Sequence, residues 1–186
     1  MDLKKEIIYA FIDSQNLNLA IKNDIFHNKS KALLHKGWDL DFNKFFSLLK
    51  NRFKVDKAFL FIGYKAGNES LYTYLQKVGY IIIFKPILVS RDGKIVKGNV
   101  DAELVMRAMI ELNNYDKAII VSGDGDFHCL IEYLVSKNKL FKVMIPNKFS
   151  FSSLLRKFSK FFIFVNLYEK RLKKEKQTSA RDEPLA

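Results

Sequence analysis

An α/β fold with a mainly parallel sheet of five to six strands is predicted by three observations. Short apolar runs recur along the chain, and each is followed by a stretch with helical spacing. The runs are rich in Ile, Val and Phe and lack polar alternation, as in strands covered on both faces. The connections are short, which suits crossovers between parallel neighbours with helices on both sides of the sheet.

The first run, Ile7 to Ile12, is a buried strand that ends at Asp13 and leads into a helix through Leu17 and Ile21. Lys22 to Trp38 is polar and basic without a sustained period, so it reads as an exposed loop or short helix. Its Lys22, Lys29, Lys31, Lys36, His27 and His35 suit phosphate contact or plain solvation equally well. Asp41 caps a helix carrying Phe42, Phe45, Phe46 and Leu49. A second strand spans 57–64. The next helix presents Leu71, Tyr74, Leu75 and Val78 and stops at Gly79. Tyr80 to Phe84 is the third strand. Asp92-Gly93 between two apolar runs then signals a small hairpin, an excursion from the alternation. Val100 to Leu112 is amphipathic, with Leu104, Val105 and Ala108 on its stripe. The fourth strand covers 117–121, its helix 127–137, and the fifth strand Leu140 to Ile145. A short helix from Phe151 to Lys157 and an edge strand over Phe161 to Val165 close a domain over 1–168. A basic, disordered tail is expected over 169–186.

A chain of 186 residues with 48% hydrophobic content and 17 Phe suits one domain with a full core. The net charge of +12 calls for a polyanionic partner, a nucleic acid or an anionic membrane surface. No apolar stretch reaches membrane-spanning length, and the single Cys129 excludes an internal disulfide. A soluble, cytoplasmic protein is expected; its oligomeric state, homodimer included, stays open. Neither a Walker loop nor a GxGxxG pattern is present, which argues against nucleotide-cofactor binding.

Val121-Ser122-Gly123-Asp124-Gly125-Asp126-Phe127 is the stretch richest in chemistry, two aspartates at the end of a strand where open α/β sheets place ligands. A helix N-cap accounts for Asp126 and leaves Asp124 unexplained. Right-handed crossovers leave two common strand orders. If the order is 3-2-1-4-5, Asp13 stands beside Asp124 and Asp126, and Asp101 starts its helix at the same end. Four clustered carboxylates repel one another, and a bound cation explains such a cluster in a basic protein. Oxygen ligands without Cys or His suit Mg²⁺ or Mn²⁺, and such a metal in a basic protein suggests phosphodiester chemistry.

Three segments carry a resemblance. Phe11-Ile12-Asp13-Ser14-Gln15-Asn16-Leu17, Lys97-Gly98-Asn99-Val100-Asp101 and Val121 to Phe127 resemble the three motifs of NYN domains, in the LabA-like branch of the PIN-like ribonucleases. Ser153-Leu154-Leu155 followed by Phe161-Phe162-Ile163 is similar to that family's closing helix and strand, so the likeness covers about residues 5 to 168. It implies a three-layer PIN-like fold of sheet order 3-2-1-4-5 and metal-dependent endonucleolytic cleavage of RNA with Mg²⁺ or Mn²⁺. It further implies Asp13, Asp101, Asp124 and Asp126 as catalytic and metal-binding acids, with Asn16 and Ser122 as polar supports.

Six positions beyond Asp101, where many relatives carry a further aspartate, this chain has Arg107. Glu103 is its natural i,i+4 ion-pair partner; otherwise Arg107 contacts phosphate or weakens a metal site. Further candidates for the RNA backbone are Lys65, Lys97, Lys170, Arg171, Lys173 and Lys174, weighed against ordinary solvated lysines. Tyr64 and Trp38 are candidates for base stacking against a default of core packing. His128 reads as a surface or capping histidine and Cys129 as core. Beside a ribonuclease, the alternatives are a catalytically weak nucleic-acid-binding regulatory module, suggested by Arg107, and a small-molecule phosphatase, which would need no extended basic surface.

Overall fold

The computed structural model describes residues 5–85, 88–89, 95–96 and 100–175. Its strands and helices run β1 (Ile8–Asp13), α1 (Ser14–Lys22), β2 (Ile25–Phe26), β3 (Leu33–His35), α2 (Phe42–Phe53), β4 (Lys57–Gly63), α3 (Glu69–Val78) and β5 (Ile81–Lys85). They continue with β6 (Leu88–Val89), β7 (Ile95–Val96), α4 (Val100–Ile110), β8 (Lys117–Val121), α5 (His128–Ser136), β9 (Leu140–Ile145), β10 (Phe162–Phe164) and α6 (Glu169–Leu172). Short 3-10 helices cover Gly125–Phe127, Ser153–Phe161 and Val165–Tyr168.

Six strands form one sheet in the order β10-β9-β8-β1-β4-β5, and every pairing in it is parallel. The expected order 3-2-1-4-5 is therefore present, with the Phe162–Phe164 strand added at the edge. All six residues of β1 are buried, which explains why this run carries no polar alternation. One face is covered by Leu17 and Ile21 of α1, Phe45 and Leu49 of α2 and Leu75 of α3. Leu104 and Ala108 of α4, Leu130 and Leu134 of α5, and Leu155 and Phe158 cover the other. The result is a three-layer PIN-like fold. Among the described residues, no helix is long and apolar enough to cross a membrane.

Asp41 caps α2 by accepting from the Asn43 and Lys44 amides, and Gly79 ends α3 at φ +117°, where a side chain would be strained. β6 and β7 pair antiparallel, Leu88 with Val96 and Val89 with Ile95, as the hairpin signal requires. The Asp92-Gly93 turn itself lies outside the described residues.

Two expectations are corrected. Residues 22–38 do not form a bare loop or helix; β2 and β3 pair antiparallel, closed by His27 N donating to Ala32 O at 2.8 Å. Strands of two and three residues are too short to show a period. The packed chain also extends past the expected boundary at 168. Leu172 is 1% exposed and belongs to the core under α1 and α2. Asp41 N donates to Leu172 O at 2.8 Å, and Lys174 N to Asp39 O at 2.9 Å. A single leucine in a basic run carries no amphipathic signature, so its burial is invisible to a composition reading. Residues 176–186 lie outside the described residues.

A candidate acidic site at the carboxyl edge of the sheet

β1 and β8 are neighbours in register, Ile12 opposite Val121, so Asp13 and the 122–126 loop leave the sheet at the same level. α1 then crosses one face while α5 crosses the other. A crevice opens between two such diverging connections.

Each acid is held by the turn that carries it. Asp13, 5% exposed, accepts from the Gln15 and Asn16 amides through Oδ1, both at 3.1 Å, and so caps α1. Asp124 accepts from the Asp126 amide at 3.1 Å and caps the 3-10 turn. The capping role thus falls on Asp124, not on Asp126 as the sequence suggested; Asp126 lies exposed in the first turn after it. A turn that begins as a 3-10 helix moves its cap back by two residues, which spacing alone does not reveal. Asp124→Ala should therefore be about 1 kcal/mol less stable than Asp124→Asn, which keeps the acceptor, whereas the Ala and Asn variants of Asp126 should match. Urea unfolding without metal reads this, and equal stability of the two Asp124 variants would refute the cap.

Asn16 and Ser122 both bond the acid loop. Asn16 Oδ1 accepts from Gly123 N at 2.8 Å and ties α1 to the acid loop. Ser122, buried, accepts from Asp124 N at 3.1 Å. A Cβ at Gly125 would overlap Ser152 Oγ, so the loop packs against the 150–154 segment at a distance only glycine allows.

Asp101 enters from the first turn of α4. Burial pushes its carboxyl above the usual carboxylate range, and the charges of Asp124, Asp13 and Asp126 push it further, while Lys85 pulls it back. Asp13 is raised by burial and, more weakly, by Asp124; the Asn16 amide, Lys85 and the Gln15 amide oppose the rise. The four aspartates therefore share one field. Among the described residues, no three His, Cys, Asp or Glu side chains stand together as a group able to hold a metal ion.

Lys85 is the residue the sequence reading missed. It ends β5, is 5% exposed, and its charge acts on both Asp13 and Asp101. As the last residue of an apolar strand it looked like a strand terminus; only the sheet order turns it toward β1.

The other candidates disperse. Lys65 is exposed on the loop after β4, and Lys97 lies outside the described residues. Arg107 pairs with Glu111 at 3.6 Å rather than with Glu103. Lys170, Arg171, Lys173 and Lys174 are exposed on α6 and just after it, beside the start of α2, and Lys173 pairs with Glu169 at 2.9 Å. Trp38 is buried in the core and cannot stack on a base, whereas Tyr64 is exposed and meets Phe84 edge-on. Cys129 is exposed rather than core, next to a half-buried His128. A groove of about 570 Å³ joins Asp124 and Asp126 to Phe149, Phe151 and Leu154.

The family model of the NYN domain matches residues 8–167. The chain is 26% identical over 124 residues to the low amplitude and bright protein LabA of Synechococcus elongatus, a match over 62% of this chain and 64% of that protein. It thus spans just under two thirds of the length of this curated relative. The crystal structure of a protein of unknown function from Vibrio parahaemolyticus superposes with a TM-score of 0.68 at 25% identity, covering 89% of this chain and 96% of that one.

Proposed function

Because the chain belongs to the NYN domain family, we propose that it is a divalent-metal-dependent endoribonuclease whose catalytic and metal-binding acids are Asp13, Asp101, Asp124 and Asp126. The observation that carries this reading is that Asp13 and the 122–126 acid loop leave neighbouring strands at one level, with Asp101 raised first by burial and then by the charges of the other three acids, in a chain of net charge +12. Repulsion of this kind, opposed only in part by Lys85, is relieved further by a bound cation. The donors are all carboxylate oxygens, which fits Mg²⁺ or Mn²⁺. The fit rests on donor chemistry and charge rather than on a closed set of ligands. When bound, such an ion lowers the pKa of water and neutralises charge on the reacting phosphate.

The chain's own residues supply position. Asp13 is fixed by its cap, and Asn16 and Ser122 hold the acid loop at the height of β1. Asp126, the exposed member, opens onto the groove. Lysines and arginines outside the crevice supply the positive surface for an RNA backbone, with salt-dependent affinity. The Arg107–Glu111 pair gives Arg107 a structural role.

Purified protein incubated with RNA should cleave in Mg²⁺ or Mn²⁺ and not in EDTA. Cleavage that persists in EDTA would overturn the proposal. RNA binding without cleavage under every metal condition would establish the binding-module alternative instead.

Lys85 acts as an internal counter-charge. Lys85→Met should lower metal-free stability at neutral pH by roughly 1–3 kcal/mol, less than loss of one partner from a closed buried ion pair. The same variant should gain more stability than wild type from added Mn²⁺, since a fixed cation repels a second one. Thermal unfolding with and without Mn²⁺ checks both signs; an equal metal gain would show that Lys85 does not sense the site.

A further inference from the structure

We propose that the groove beside the acid loop is a base-binding subsite, in which Phe149 stacks one unpaired base of the RNA and Lys148 faces its phosphate. The inference rests on the ribonuclease reading above and adds to it a residue that selects the substrate.

Phe149 is 41% exposed, yet it does not sit on a loose loop. Its amide donates to Asn147 Oδ1 at 3.1 Å, and Asn147 is fully buried. Asn147 Nδ2 in turn donates to Ala20 O of α1 at 3.0 Å. Ser150 N donates to Asn147 O at 3.1 Å, Lys148 N to Asn166 Oδ1 at 3.1 Å, and Ser152 N to Gly123 O at 2.9 Å. The loop is thus fastened to α1, to the chain after β10 and to the acid loop itself. These bonds hold the segment that carries the exposed ring in one place beside the groove. A rigid ring is what a stacked base requires.

The groove itself makes the assignment specific. One wall carries Asp124 and Asp126, which without metal repel phosphate and would meet it only through a bound cation, so the apolar Phe149 is left to the neutral base. Lys148 Nζ is exposed and lies over one face of the Phe149 ring, 4.7 Å from its centre, so a stacked base takes the other face and the ammonium stands beside the ring to meet a phosphate. The hydroxyls of Ser150 and Ser152 line the same groove and can meet the edge of any base. Discrimination then follows stacking strength, purine over pyrimidine, rather than one base identity. A base inside a duplex is already stacked and cannot reach the ring without being turned out.

The test is a binding cycle in EDTA, so that cleavage plays no part. A short single-stranded RNA and versions carrying one abasic nucleotide at each position in turn are titrated against wild type, Phe149→Ala and Phe149→Trp. Wild type should lose affinity roughly 5- to 150-fold at one position. Phe149→Ala should bind the intact RNA correspondingly less tightly and show no further loss at that position, while Phe149→Trp keeps the wild-type pattern. A purine at that position should be favoured by wild type and Phe149→Trp but not by Phe149→Ala. If Phe149→Ala matches wild type throughout, and both cleave RNA in Mn²⁺, the subsite is overturned and the ribonuclease reading stands. If wild type neither binds nor cleaves RNA, both fall together.

Discussion

Asp13→Asn should lower the rate of RNA cleavage by at least about 10³-fold while the protein stays folded. Asparagine keeps the helix cap, because its side-chain oxygen still accepts from Gln15 and Asn16, so only the charge is lost. In the metal-free protein the same change should raise stability at neutral pH. Burial pushes Asp13 up from its ordinary 3.8, opposed by two amides and Lys85 and reinforced by Asp124. Such a carboxyl binds more protons folded than unfolded between those two values, so its contribution to stability falls as pH rises through that window. The advantage of the variant should therefore be largest at neutral pH and vanish below about pH 4. Mg²⁺ or Mn²⁺ should stabilise wild type by mass action and Asp13→Asn less. Unfolding curves across pH, with EDTA and with Mn²⁺, read all of this. A variant that cleaves at the wild-type rate, or a wild type whose stability ignores both metals, would remove Asp13 from any metal site.

Ending the chain after residue 168 should cost roughly 2–5 kcal/mol, whereas ending it after 175 should leave stability unchanged. The first cut strips Leu172 from the core and leaves the Asp41 amide without its acceptor and the Asp39 carbonyl without its donor. The second removes none of these. A tail that served only as a nucleic-acid arm would give the opposite pattern, with stability indifferent to either cut. RNA binding by the α6 charges is better tested in the full-length protein, by neutralising Lys170, Arg171, Lys173 and Lys174 together. Each lost phosphate contact should lower the salt slope by about one unit, and an unchanged slope would show that these residues do not touch RNA.

Where the sequence misled, the missing information was which way a side chain faces. Cys129 sits one residue off the buried line of α5, and a one-position shift on a helix is enough to turn it outward. Arg107 has two glutamates at i,i±4 spacing, and rotamer and packing, not spacing, select Glu111. Nothing in the sequence sets Phe149 apart among 17 Phe, because exposure is not written in composition. Trp38 was the reverse case, a ring that seemed available for stacking and is buried.

The sequence by itself determined the parallel sheet and the strand ends that carry acids; it left two strand orders open, and the family resemblance chose between them. The first two follow from local patterns repeated along the chain: uninterrupted apolar runs, an acid at or just past the end of the strands at 8–13 and 117–121, and a helix behind each. The tertiary structure alone decided that Lys85 shares the field of Asp13 and Asp101, and that Leu172 completes the core. It also decided that Phe149 is held open beside Asp124 and Asp126. Those facts depend on segments tens of residues apart meeting in space. No period or spacing encodes such a meeting, because its energy belongs to the assembled sheet and not to any single stretch of chain.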